Sequence, residues 1–149
     1  MAYFGAWPPL GDLGMEAECK QEVIELHQFF EDWFSAKLAQ TDGNYGRMTV
    51  AMNPDFHIVG PDGRMMDYPT LEKGLWAGHN SRPNFKLWVD NVQTRPLSND
   101  IALTTYEEWQ EIDGQTTARL STAVFCKKAD APNGVAWMHV HETWMDIGE

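Results

Sequence analysis

Cysteine is scarce in this chain, since only Cys19 and Cys126 occur among its 149 residues. The two have neither CxxC spacing nor partners at metal-ligand spacing, so nothing in the sequence indicates a disulfide framework or a zinc site. No glycine-rich phosphate loop and no motif of the common hydrolase or metalloprotease classes occurs either. We therefore expect a reduced, cytoplasmic protein that uses no metal and no cofactor.

Basic clusters and long apolar runs are also missing. The formal net charge is −11, from 22 acidic and 11 basic residues, and the longest basic cluster is the pair Lys127-Lys128. Phosphate backbones and anionic membrane surfaces would be repelled by such a protein. No apolar run approaches the ~20 residues that span a bilayer, and residues 1–9 do not form a secretory signal. We expect neither a nucleic-acid nor a membrane partner.

The composition that remains is typical of one globular domain, with 43% hydrophobic and 22% charged residues. Residues 1–149 are predicted to form a single domain. Residues 1–15 are rich in glycine, proline and aromatics without periodicity, and are predicted to form an irregular N-terminal arm.

Two helices precede the long strands in this prediction. From about Glu16 to Gln40 apolar residues recur at three- and four-residue steps, which predicts an amphipathic helix that ends at residues 41–44. A short helical turn is expected around residues 47–52. Asp67 is a candidate N-cap for a second long helix, residues 68–77.

Strands dominate the rest of the chain, in an antiparallel meander, so the order of elements predicts an α+β fold. The predicted strands are residues 56–59, 84–95, 101–112, 115–128 and 135–145.

The hairpin around Asp113-Gly114 allows a prediction of register, because this dipeptide favours a two-residue loop. Counting outward places Glu108 opposite Arg119 and Tyr106 opposite Ser121. The Glu108–Arg119 pair is either a cross-strand ion pair that only stabilises the sheet, or an acid/base and anion-binding pair in a pocket with Tyr106 as donor.

The last strand carries two histidines, His139 and His141, which alternation places on one face with Trp137. Two histidines in this spacing suit a proton shuttle or a metal, although a metal would need a third ligand and no other histidine has diagnostic spacing. A purely structural role is the alternative. His139, His141 and Tyr106 are the catalytic candidates.

Aromatic residues make up 12% of the chain, and six tryptophans fall on predicted helices or strands. They form either a hydrophobic core or the lining of a pocket for a flat organic molecule. The candidate ligand-binding residues are Trp33, Trp76, Glu108, Arg119 and Trp137.

Two stretches resemble a known group: NPDFHIVGPDG at residues 53–63, after the first helices, and WMHVHETW at residues 137–144. Over about residues 16–146 the chain resembles the nuclear transport factor 2-like superfamily, in particular its SnoaL-like and ketosteroid-isomerase-like branch. The resemblance implies a cone-shaped, strongly curved antiparallel sheet packed against the N-terminal helices, a pocket at one end, and a homodimer formed through the sheet.

Three functions are open at this point. The first is a domain that binds a small, mainly apolar or aromatic ligand in the cone pocket. The second is a cofactor-independent isomerase, dehydratase or cyclase that transfers protons on a small carbonyl compound, and the third is an oligomerisation platform. The negative charge argues against an anionic ligand unless Arg119 or Arg47 turns inward to receive it.

Overall fold

A computed structural model of the chain describes residues 15–148. It has three helices and six strands, which confirms the α+β prediction. The predicted arm, residues 1–15, lies outside the described residues except for Met15. No described helix is both long and apolar enough to cross a membrane. The elements are α1 Glu16–Phe34, α2 Asp42–Thr49, β1 Met52–Val59, β2 Met65–Asp67, α3 Tyr68–Ala77, β3 Lys86–Pro96, β4 Ile101–Ile112, β5 Gln115–Lys127 and β6 Val135–Trp144.

Helix α1 ends at Phe34, six residues before the predicted end. The hydroxyl of Ser35 donates to the Glu31 carbonyl at 2.7 Å, and Ala36 has a left-handed backbone with φ 62°, so the helix cannot continue. Thr41 does not end a helix but begins one, because its hydroxyl accepts the Asn44 N–H at 3.1 Å. The predicted turn at residues 47–52 overlaps only the last three residues of α2, and Met52 already belongs to β1. The prediction for α3 and its Asp67 cap is confirmed.

The sheet has the strand order β2-β1-β6-β5-β4-β3 and is mixed rather than fully antiparallel. β1 runs parallel to β6, and β2, which was not predicted, pairs with β1 at one edge. Hairpin signals predict pairs of consecutive strands only. They could not place β1, because β1 pairs with a strand some eighty residues later. The last strand therefore lies in the middle of the sheet.

Irregularities bend the long strands and curve the sheet. The β3–β4 register shifts between Asp90 and Gln93, where Asn91 has φ 51°, and the β5–β6 register shifts between Val124 and Phe125. Such bulges bend a strand and increase its twist. The curvature lets the sheet wrap around α1.

The predicted β4–β5 register is confirmed, with Glu108 opposite Arg119 and Tyr106 opposite Ser121. Burial alternates along β4, so one face of the sheet is covered by the helices and the other is not. We call these the inner and outer faces. The inner face includes Ala102, Thr104, Tyr106, Glu108, Gln110, Arg119, Ser121, Ala123 and Phe125, and the outer face includes Trp88, Leu103, Thr105, Glu107, Trp109, Leu120, Thr122 and Val124.

A buried carboxylate fastens α1 to the sheet. Glu22 is fully buried. Its carboxylate oxygens accept hydrogen bonds from both terminal nitrogens of Arg47 at 2.8 and 3.1 Å, from the Trp137 indole N–H at 2.9 Å and from the Asn133 amide at 3.0 Å. A buried charge persists in a fold when it is paired and fully hydrogen-bonded, as here. Arg47 is therefore paired with Glu22 and does not turn inward to receive an anionic ligand.

Helix α3 has no buried residue of its own and is held by its neighbours. The indole N–H of Trp33, which is fully buried, donates to the Leu75 carbonyl at 2.7 Å. The Trp33 ring also lies within 5.5 Å of the Trp76 ring and within 4.8 Å of the Tyr45 ring. Trp33 thus joins α1 to both short helices.

Candidate functional site

A cavity of about 160 Å³ lies between α1, α3 and the inner face of the sheet. Its walls are mostly apolar, and its polar groups come from several distant parts of the chain. These polar lining residues are His27, Arg82, Tyr106, Glu108, Gln110, Arg119 and Glu142.

The innermost polar contact is an ion pair between His27 and Glu108. Nδ1 of His27 lies 2.7 Å from the Val23 carbonyl, to which it can only donate. Nε2 lies 2.8 Å from Oε1 of Glu108. Because a carboxylate can only accept, the second ring nitrogen must also carry a proton, and the ring is an imidazolium.

The pKa shifts agree with that assignment. Burial favours the neutral imidazole, but the hydrogen bond and charge of Glu108 outweigh it, so the pKa of His27 lies above its ordinary value. Burial likewise opposes the charge of Glu108, but His27 and then Arg119 hold the pKa of Glu108 below its ordinary value. The pair is charged on both sides around neutral pH.

Arg119 lies between two carboxylates. Its Nη1 donates to Oε1 of Glu142 at 3.0 Å, while its Nε lies 3.6 Å from Oε2 of Glu108 and has no hydrogen-bond acceptor within the described part of the chain. Burial and then the nearby charge of Glu108 raise the pKa of Glu142. The predicted Glu108–Arg119 pair exists, therefore, but within a larger buried network.

The His27–Glu108 pair predicts a pH effect on stability. A histidine whose pKa is raised on folding stabilises the fold below its unfolded pKa of about 6.5, and this stabilisation is lost as the pH rises through the folded value. We expect the stability gap between wild type and His27→Asn to be largest below about pH 6.5 and to narrow above it. Urea unfolding between pH 5.5 and 9 measures the gap.

Gln28→Asn is the control, because Gln28 is an exposed residue of α1 next to His27 and carries no titratable group. It should follow wild type at a nearly constant offset. Equal pH dependence of the two variants would contradict an imidazolium at His27.

The structure places four of the predicted site residues around this cavity: Tyr106, Glu108, Arg119 and Trp137. Trp33 and Trp76 do not line it. Trp33 is packed in the core, and Trp76 borders a separate cleft between α2 and α3. The roles proposed for the four residues at the cavity stay predictions.

The predicted common face of Trp137, His139 and His141 is wrong. Phe125 pairs with Trp137 and Val124 pairs with His139, so Met138 is an extra residue in a bulge. The bulge breaks the alternation and leaves Trp137 on the inner face but both histidines on the outer face. Neither histidine reaches the cavity. Within residues 15–148 no three histidine, cysteine or acidic side chains cluster as metal ligands.

Sequence reasoning missed His27, Arg82 and Glu142. His27 follows Leu26 on the apolar stripe of α1, and a titratable residue on such a stripe must have a buried partner, which was an available signal. Uninterrupted alternation would place Glu142 on the face opposite Trp137, whereas the bulge brings it to the inner face, opposite Ser121. Arg82 lies in the loop before β3, where no periodicity indicates direction.

Solved structures share this fold. A protein of unknown function from Pseudomonas aeruginosa, described as NTF-2-like, is similar with a TM-score of 0.77 and 22% identity, over 86% of this chain and 98% of that one. The CaMKII hub of S. rosetta is similar with a TM-score of 0.68 and 18% identity, over 89% of this chain and 98% of that one. The predicted nuclear transport factor 2-like fold is confirmed.

Sequence relatives point to a narrower group. Sucrose-phosphatase 2 of Nicotiana tabacum is 26% identical over 130 residues, which is 84% of this chain and 30% of that protein. The chain spans about 30% of the length of the curated relatives it matches.

The family model for the sucrose-6-phosphate phosphohydrolase C-terminal domain matches residues 19–146. Together with these relatives, the match shows that the prediction of a domain that binds a small apolar or aromatic ligand is wrong. The cavity agrees with this correction, because 160 Å³ is below the roughly 300–1,000 Å³ of pockets that hold drug-sized ligands. The chain belongs to the sucrose-6-phosphate phosphohydrolase C-terminal family.

Proposed function

We propose that this chain is an association domain, which joins copies of itself through the outer face of its sheet. The observation that carries the proposal is the apolar character of that face. Trp88 and Leu120 are 43% and 47% exposed on it, and Trp88 stacks on Trp109 with ring centroids 6.1 Å apart. A sheet face in contact with water is normally polar, whereas exposed apolar patches mark interaction surfaces.

Charge distribution supports association through this face. Beyond the Glu107–Leu120 pair that follows the tryptophans, two adjacent cross-strand pairs, Leu103–Val124 and Thr105–Thr122, form an uncharged area on β4 and β5. A protein of net charge −11 can bring two copies together only where few charges meet. A two-fold axis through this area would place the same uncharged pairs from both copies against each other.

The similar structures support the same role. Several are hubs or association domains of CaMKII or of CaMKII-like proteins by their own descriptions. The relatives are sucrose-phosphatases three times as long as the matched segment. We infer that the domain acts alongside a sucrose-phosphate-hydrolysing unit and contributes assembly rather than hydrolysis. The small cavity, with two carboxylates on its floor, is a poor site for a sugar phosphate dianion.

Leu120→Arg tests the proposal. In a two-fold interface each substitution occurs twice, so burying two arginines should weaken self-association by at least ~100-fold. Ile24→Arg is the matched control, because Ile24 is 41% exposed on α1, the helix that covers the inner face. Sedimentation velocity over a range of concentrations measures both variants. Unchanged association of Leu120→Arg would refute the proposed interface.

A further inference from the structure

We propose that Arg82 and Arg119 form a carboxylate-binding site in the inner cavity. This goes beyond the proposed self-association, which uses the opposite face of the sheet. Both guanidinium groups line the cavity; Arg119 has a buried Nε–H without an acceptor in residues 15–148, and Arg82 is half-buried with no ion pair to those residues. A guanidinium presents a planar fork of donors that matches the two oxygens of a carboxylate.

Arg82 is a cation without an acidic partner in the described part of the chain. Its guanidinium lies 4.9 Å from the ring centres of both Phe34 and Phe85, which hold it at the cavity. No carboxylate of residues 15–148 lies within salt-bridge distance of it. Burial and then the positive charge of Arg119 lower the pKa of Arg82, and the charge of Glu108 only partly opposes them. An anion placed between the two arginines would relieve both effects.

Arg119 has a donor to spare as well. Nη1 is taken by Glu142, but the buried Nε–H makes no hydrogen bond, since the nearest carboxylate oxygen is 3.6 Å away. Leaving a buried donor unpaired costs about 1–3 kcal/mol, so native structures normally supply an acceptor. A ligand carboxylate in the cavity would supply that acceptor.

The charged residues that line the cavity determine which kind of anion the site would bind. His27, Arg82 and Arg119 give three cations against the carboxylates of Glu108 and Glu142, so the cavity is locally positive in a strongly negative protein. The two floor carboxylates oppose a dianion far more than a monoanion. The cavity volume of about 160 Å³ admits one carboxylate on a short aliphatic chain and little more. Recognition therefore depends on one charge, in contrast to the apolar ligand first expected.

Such a carboxylate is carried either by a small free acid or by an acidic side chain of a peptide. Isothermal titration with butyrate and with N-acetyl-Leu-Glu amide examines the two sources separately. Butyramide and N-acetyl-Leu-Gln amide are their neutral counterparts. Binding of either acid, with at least ten-fold weaker binding of its amide, supports the site and identifies the source. If neither acid binds, or if an amide binds as well as its acid, the site does not exist.

Arg82→Gln should weaken binding of the acid at least ten-fold. Arg64→Gln removes the same charge from an exposed arginine that pairs with Asp62, and should change binding less than two-fold. Arg82→Lys retains the charge without the fork and should give an intermediate affinity. Equal affinities of Arg82→Gln and Arg64→Gln, with both proteins folded by circular dichroism, would overturn the assignment. The same titration on Leu120→Arg separates this site from self-association.

Discussion

Replacement of Arg47 by methionine is expected to lower the free energy of unfolding by about 3–5 kcal/mol. The reason is Glu22, which is fully buried and receives two hydrogen bonds from the Arg47 guanidinium. Methionine fills much of the space of the arginine stem but leaves the carboxylate without its counter-ion. The Trp137 and Asn133 donors remain, so the cost falls short of that of an isolated buried charge.

Urea unfolding of Arg47→Met and Arg64→Met measures this effect. Both variants lose one positive charge, but Arg64 pairs with Asp62 at the surface and should cost less than about 0.5 kcal/mol. Adding Glu22→Gln to Arg47→Met should recover part of the loss, because a neutral amide needs no counter-ion. A loss within 1 kcal/mol of that of Arg64→Met would mean that Glu22 is not the buried charge described.

Truncation of Trp33 to alanine is expected to cost about 3–5 kcal/mol and to loosen α3 before the rest of the fold. Trp33 links α1 to α2 and α3, and the α3 side chains that pack on the core, among them Leu71 and Leu75, are only partly buried. Its loss removes the hydrogen bond to the Leu75 carbonyl together with the contacts to Tyr45 and Trp76.

Thermal or urea unfolding gives the global loss for this variant, and amide hydrogen exchange gives its location. Exchange should rise most in residues 68–77. Trp144→Ala is the control, since Trp144 is 51% exposed at the end of β6 and should cost under about 1 kcal/mol. Uniformly faster exchange throughout the chain would show that α3 does not depend on Trp33.

Local signals in the sequence were enough for the hairpin and for α3. Asp113-Gly114 takes the two positive φ values of a tight turn, which fixes every pair along β4 and β5, and Asp67 caps α3 as expected. The predictions that failed concern contacts between distant parts of the chain. The parallel pairing of β1 with β6 joins residues far apart in the chain, and no local pattern specifies which strands meet at such a distance.

The predictions for the site also succeeded for local contacts and failed for distant ones. The pairing of Glu108 with Arg119 followed from counting outward from the turn, and the structure has it. One bulge residue, Met138, was enough to place the histidines of β6 on the wrong face, because strand alternation reverses at each inserted residue. His27 is the partner of Glu108. It lies on α1, however, and no local sequence pattern indicates that α1 packs next to β4.

Aromatic content misled the functional prediction for a related reason. Tryptophans were counted as a possible ligand cage, but Trp33 and Trp137 are core residues while Trp88 and Trp109 stack on the outer face. A high aromatic content fits a ligand pocket and an association surface equally well. Only the side of the sheet on which each ring lies separates the two.

The solution mass of the wild-type chain tests the central claim most directly. Sedimentation equilibrium across micromolar concentrations should give a mass that is a multiple of 17.0 kDa, and the mass should return toward 17.0 kDa on dilution or in Leu120→Arg. A wild-type mass of 17.0 kDa at every concentration would contradict an association domain.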